Sequence, residues 1–133
     1  MLLLMKCLSL KQPYAILLAN GKKTIETRKW NTTFRGDFLI HASKNIETLS
    51  CKYYGLNVET LAKGAIIGKA TLYDVKKYQN NLEYKLDYEQ HLSSKIIEKF
   101  AYGFLIKNAL KFDRIILYPG KLGFFDVYLD SKV

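Results

Sequence analysis

The chain has 133 residues, 49% of them hydrophobic and 25% charged, and its 21 basic and 12 acidic side chains give a formal net charge of +9. That length holds one compact domain over residues 1–133 around a single core, and the apolar content excludes a disordered chain. The positive excess favours a polyanionic partner such as nucleic acid, although a lysine-rich surface kept soluble by self-repulsion accounts for the charge equally well.

The apolar start predicts a buried first strand near Leu2–Leu8. Lys6 interrupts it far short of a membrane span, and it lacks the basic flank and small-residue cleavage site of a signal peptide. Pro13 opens a predicted helix at its first position and Asn20-Gly21 closes it. A strand is expected over Thr24–Trp30, then a polar turn at Asn31-Thr32-Thr33 and Gly36, then a strand at Asp37–Ala42. Ile46, Leu49 and Tyr53 repeat at helical spacing, which predicts one or two short helices before Gly64. A long strand follows over Ala65–Val75, with a bulge expected at Gly68. Asn80-Asn81 reads as a loop, and Tyr88–Phe100 as a helix carrying Leu92, Ile96 and Phe100 on one face. Closing strands are expected at Tyr102–Ile106, Arg114–Leu117 and Gly123–Leu129, giving an α+β chain without linkers or repeats.

Cys7 and Cys51 are far apart and outside any C-x-x-C pair, so they are expected as buried thiols in a reducing cytoplasm. Two histidines and two isolated cysteines are too few soft ligands for a metal site, and His91 has no ligand partner at recognisable spacing. Neither a metal nor a cofactor is expected.

Chemistry concentrates at Gly21-Lys22-Lys23-Thr24-Ile25-Glu26-Thr27-Arg28, where a helix gives way to a strand. Strand alternation puts Thr24, Glu26, Arg28 and Trp30 on one face, so Glu26 and Arg28 can meet. Two readings stand side by side. In one, Lys23 and Arg28 address a phosphate or base while Glu26 orients Arg28 and accepts from a base amine. In the other, the three form a salt bridge of purely structural meaning.

The segment resembles the G-x-K-x-x-E-x-R signature of the ASCH domain, a member of the PUA-like superfamily associated with RNA, with Gly21, Lys23, Glu26 and Arg28 on its fixed positions. The resemblance continues through Ser9-Leu10-Lys11-Gln12-Pro13-Tyr14-Ala15, Phe34-Arg35-Gly36, Ile40-His41-Ala42-Ser43, Gly64-Ala65-Ile66-Ile67-Gly68-Lys69-Ala70 and Tyr118-Pro119-Gly120-Lys121-Leu122-Gly123-Phe124-Phe125-Asp126-Val127. It is weakest over residues 79–100. It implies a small PUA-like β-barrel with short flanking helices, and an RNA-binding or nucleic-acid-binding function with a basic cleft that accepts a base or modified nucleoside.

Ser9, Lys11 and Gln12 precede the first helix, where they either meet a ligand or, in the case of Ser9 or Gln12, only cap the helix. Trp30 suits stacking on an unpaired base and equally suits a core. His41 and Ser43 share a strand face and line the same expected pocket, or His41 is a satisfied histidine at a strand end. Lys121 is placed to reach a phosphate, without the spacing of a nucleotide-hydrolysing P-loop.

An enzyme is the alternative. Some ASCH relatives are similar to acetylcytidine amidohydrolases, in which a lysine activates a threonine and a carboxylate assists. Lys23 matches that lysine, but Glu26 stands where those enzymes carry the threonine, so Lys23 and Glu26 would act by activating water, on an acylated nucleoside or on RNA. Asp74, Glu83, Asp87 and Glu89 are candidates for a further carboxylate. A third class, a coregulator-type protein-interaction domain, is also implied by the resemblance. The expected partner is RNA or a modified nucleoside, with DNA an open alternative, no membrane, and no protein partner identifiable.

Overall fold

A computed structural model describes residues 1–130, so the last three positions of the expected domain lie outside the described residues. The elements run β1 (Leu2–Gln12), α1 (Tyr14–Ala19), β2 (Ile25–Arg28), β3 (Gly36–Ile46), α2 (Thr48–Tyr53), a 3-10 turn (Val58–Thr60), β4 (Ala65–Tyr78), α3 (Asn81–Leu86), α4 (Tyr88–His91), β5 (Ala101–Leu117) and β6 (Phe124–Asp130). The strands form one six-stranded sheet in the order β2-β5-β4-β3-β1-β6. Only β1 and β3 pair in parallel, which makes the sheet mixed and the fold α+β.

Alternation along the strands builds two cores from one sheet. Leu8, Leu10, Phe38, Ile40, Leu72, Phe104 and Ile106 face inward with α1 laid across them, while Cys7, Leu39, Ile66, Phe125, Val127 and Leu129 pack on the opposite face. The sheet is strongly rolled. Phe104 of β5 and Phe124 of β6 stack at 6.0 Å with their planes 18° apart, although β4, β3 and β1 separate these strands in the hydrogen-bonded order. That order ends on β2 and β6, so among the described residues no ladder completes the barrel that the resemblance implies.

Several elements differ from expectation. β1 forms, but Leu2, Leu3 and Leu4 are exposed, because β3 joins β1 only from Lys6 onward and β6 alone flanks the earlier residues. α1 begins one residue later than expected, with Pro13 at its N-cap. In α2 the buried residue is Cys51, whereas Leu49 and Tyr53 face outward. The register shifts between Ile66 and Gly68 in both the β3–β4 and the β4–β5 ladders, in keeping with a bulge beside Gly68. Asn80 is not loop but the N-cap of α3, its side chain accepting from Glu83 N at 2.9 Å.

The two largest departures lie late in the chain. The expected helix over 88–100 ends at His91, where Leu92 takes a left-handed conformation (φ 61°). Local bonds outweigh the apolar spacing: Ser93 N donates to His91 Nδ1 at 3.0 Å, and Ile97 N donates to Asn81 Oδ1 at 2.7 Å. Strands expected at 102–106 and 114–117 are parts of the single strand β5, in which the exposed Lys107 and Lys111 still pair with Thr71 and Gly68 of β4, while Asp113 lies within a register shift. Among the described residues no helix is long and apolar enough to cross a membrane.

Candidate functional site

Gly21 ends α1 with φ 82°, a backbone conformation that a side chain disfavours, and this turn sends the chain back beneath the helix. Lys23 N then bonds Leu17 O at 2.9 Å, which fixes the Lys23 side chain pointing inward. Only 3% of Lys23 is exposed. Its ammonium donates to His91 O at 2.5 Å, lies 3.3 Å from Glu26 Oε1, and sits 5.3 Å from the Tyr14 ring centroid. Glu26 Oε2 accepts from Arg28 Nε at 2.9 Å and lies 2.8 Å from the second guanidinium nitrogen.

Arg28 does more than pair with Glu26. The same guanidinium donates to Ser9 O on β1 at 2.8 Å, tying edge strand β2 to a strand that the ladder order places far from it. The signature cluster thus clasps the open side of the rolled sheet.

Burial lowers the Lys23 pKa from the ordinary lysine value, with the neighbouring Arg28 adding to the effect, and Glu26 only partly opposes this. Glu26 experiences the reverse contest. Burial raises its pKa, but Lys23 and Arg28 together outweigh burial and hold it below the usual carboxylate value. Glu26 is therefore an anion with both oxygens occupied, which makes it a poor proton acceptor. Burial pushes the Tyr14 hydroxyl up to about 12, and that hydroxyl lies 3.3 Å from Ser50 Oγ.

A cavity of 1020 Å³ opens over this cluster. Of the expected site residues it brings together Ser9, Lys11, Lys23, Glu26, Arg28, Ser43 and Lys121. Lys11, Lys29, Lys99 and Lys121 stand at its exposed edge, and among the described residues none of them has a carboxylate within 4.0 Å. Lys95, in the same wall, is instead paired with Glu47 at 2.8 Å. Gly120 completes one wall. A Cβ there would come within 2.9 Å of His41 Cε1 and 3.2 Å of Ser9 Oγ, so only glycine lets this loop approach so closely.

Gln12, Trp30 and His41 are not among the lining residues. Gln12 is buried, with Oε1 accepting from Ile16 N and Nε2 donating to Ala62 O, each at 3.0 Å, so it ties the first turn of α1 to the 3-10 region. His41 is also buried. Its Nε2–H donates to Tyr118 O at 2.7 Å, and in the neutral ring Nδ1 accepts from the Ser9 hydroxyl at 2.8 Å. Trp30 follows the end of β2 rather than closing it, and its ring meets Phe104 and Phe124 edge to face at 5.3 and 6.0 Å. Arg28 lies 5.9 Å from the Trp30 centroid, so the tryptophan backs the clasp from the core side.

None of Asp74, Glu83, Asp87 and Glu89 reaches the cavity. Asp87 pairs with Lys76 at 2.7 Å and accepts from Tyr78 at 2.6 Å, while Asp74 lies 3.8 Å from Arg35 at the surface. The carboxylates that do line the cavity, besides Glu26, are Glu47 and Glu98. These two escape a sequence reading, as do Lys29, Tyr84, Lys99 and Phe100, because tertiary folding brings the start of α2, α3 and the irregular 92–100 segment against the signature strand. His91 is likewise buried, its ring stacked on Tyr84 at 3.8 Å, and burial lowers its pKa. Among the described residues no group of three or more metal-ligating side chains occurs.

The ASCH domain family model matches residues 8–116. No curated protein matches the chain. Among solved structures, the ASCH protein of Zymomonas mobilis superposes with a TM-score of 0.65 at 16% identity, covering 96% of this chain and 88% of that one. A serine-to-alanine variant of the same protein gives 0.67 at 17% identity, covering 96% and 89% of the two chains. A tyrosine-to-phenylalanine variant gives 0.62 at 18%, covering 84% and 73%. At such identities the likeness establishes the fold.

Proposed function

Since the chain belongs to the ASCH domain family, we propose that it is a nucleic-acid-binding domain whose cavity accepts a single base or modified nucleoside of an RNA. The observation that carries this reading is the junction of a 1020 Å³ cavity with an edge of four lysines that have no carboxylate partner among the described residues. The volume suits a nucleoside-sized ligand, for which pockets of about 300–1,000 Å³ are usual. The lysines supply what a phosphate backbone requires, cations whose counterions are free to leave. Inside, the anionic Glu26 carboxylate retains lone pairs for an exocyclic amine, and its position is fixed before a ligand arrives.

Fluorescence anisotropy with single-stranded RNA across a salt series tests the reading. Affinity that falls steeply as salt rises is expected, and no binding at low salt overturns it.

A hydrolytic reading is favoured by one observation, a buried amine of lowered pKa within the cavity. In that case Lys23, rather than the doubly paired Glu26, is the group with a neutral form able to take a proton. Acetylcytidine, related acylated nucleosides and short RNAs would be incubated with wild type and Lys23→Met and analysed by mass spectrometry. A product made by the wild type and lost in Lys23→Met supports hydrolysis, and the absence of any wild-type product excludes it for these substrates.

A further inference from the structure

The polar surface of the cavity continues beyond Arg28. β2, β5 and β4 are adjacent, and their register sets Arg28 opposite Tyr102 and Tyr102 opposite Lys77. Directly opposed residues in antiparallel strands share a face, so these three side chains form one row running outward from the cavity. Phe100, which lines the cavity and is 41% exposed, meets Tyr102 edge to face at 5.6 Å. The Lys77 ammonium lies 4.6 Å from the Phe100 centroid and 5.9 Å from that of Tyr102.

The neighbouring Lys76 pairs with Asp87 at 2.7 Å, whereas Lys77 is exposed and has no carboxylate within 4.0 Å among the described residues. A cation resting on aromatic rings keeps its charge unneutralised, and an exposed phenylalanine ring keeps a hydrated apolar face. One nucleotide answers both, with a base for the ring and a phosphate for the ammonium.

We propose that Phe100, Tyr102 and Lys77 form a second nucleotide subsite, where the residue adjoining the base in the cavity stacks its own base on the rings and sets its phosphate on Lys77. The proposal rests on the nucleic-acid reading of the cavity. It makes the recognised unit at least two nucleotides of unpaired strand.

Binding of a mononucleotide and of single-stranded oligonucleotides of two to six nucleotides, measured for wild type, Lys77→Ala, Phe100→Ala and Phe100→Trp, tests it. Lys77 lies outside the cavity, so Lys77→Ala is expected to leave mononucleotide affinity unchanged while weakening oligonucleotides and lowering the salt slope by about 0.7. Phe100→Ala is expected to weaken oligonucleotides by about 10-fold or more, with Phe100→Trp restoring affinity. Both residues are exposed, and an unchanged thermal midpoint confirms that each variant is folded. Wild-type oligonucleotide binding that neither Lys77→Ala nor Phe100→Ala alters overturns the subsite and spares the cavity. Absence of wild-type binding overturns both. Competition by inorganic polyphosphate as effective as that by RNA of equal charge overturns the stacking role and leaves only an anion surface.

Discussion

At the floor of the cavity Lys23 and Arg28 share the Glu26 carboxylate between them and are further held by the carbonyls of His91 and Ser9, whereas at the edge Lys11, Lys29, Lys99 and Lys121 have no carboxylate partner among the described residues. Both groups are cationic and face the same space. The floor cations are already paired, Lys23 buried and Arg28 partly so, and their bonds hold β2 against β1 and α1 and fix the shape of the pocket. The edge cations are hydrated and contribute little to folding, which leaves their charge for a polyanion. The charge of the signature strand is therefore mostly committed to other groups of the fold, and the proposed nucleic-acid reading assigns phosphate contact to lysines outside that strand's Lys23-Glu26-Arg28 cluster.

The comparison breaks most visibly at Glu26. Glu26→Gln leaves the buried Lys23 and the partly buried Arg28 without their anion, so a loss of about 3–5 kcal/mol is expected in denaturant unfolding. A loss below about 1 kcal/mol would place the cluster in the solvated class with the edge lysines. Trp30→Ala is next. Its ring packs on Phe104 and Phe124, and because it is only half-buried the expected loss is about 2–3 kcal/mol, below that of a fully buried tryptophan. RNA affinity should stay within about twofold of wild type, whereas the 1–3 kcal/mol loss typical of a stacked base would return Trp30 to the binding surface.

Acid titration sharpens the same contrast. The folded pKa of Glu26 is depressed, so the stability it contributes is present above the ordinary glutamate value near 4.5 and is lost as pH falls through the folded pKa. Lys23 is also depressed in the fold, so the folded state binds fewer protons and stability gains as pH rises from its folded pKa towards the ordinary lysine value of 10.5. Thermal midpoints measured from pH 3 to pH 10 should show the acid loss in wild type and a flatter acid limb in Glu26→Gln, and parallel acid limbs would contradict the assignment. The smallest stability effect is expected at the edge. Lys11→Ala and Lys121→Ala should each change stability by less than about 0.5 kcal/mol while lowering the salt slope of RNA binding by about 0.7.

Much of the site was legible from residue spacing, since the meeting of Glu26 with Arg28 follows from strand alternation and Gly21 marks the end of α1. Burial was not legible. Nothing in the spacing of Lys23 says that His91, far along the chain, will cover it with a carbonyl, and this contact makes it a buried residue of the cavity floor. Trp30 and His41 show the same limit, because an aromatic or an imidazole beside a basic cluster reads alike whether its ring meets a ligand or the core. In the fold, strands were legible where apolar residues alternate, as in β6, or run together between turn residues, as in β3. The long β5 was split in expectation because its outward lysines interrupt the apolar pattern, and residues 88–100 suggested a helix because apolar spacing there imitates one while side-chain bonds to the backbone set a different course.

The central claim, that the unpaired edge lysines and not the paired floor confer affinity, is tested most directly by titrating a fluorescent single-stranded RNA with wild type and with a variant carrying Lys11→Ala, Lys29→Ala, Lys99→Ala and Lys121→Ala, at several salt concentrations. The account predicts a folded variant with a nearly unchanged thermal midpoint, a large loss of affinity at low salt, and a salt slope reduced by about 2.8, the sum of four contacts at about 0.7 each. A variant that binds with the wild-type affinity and slope would contradict it.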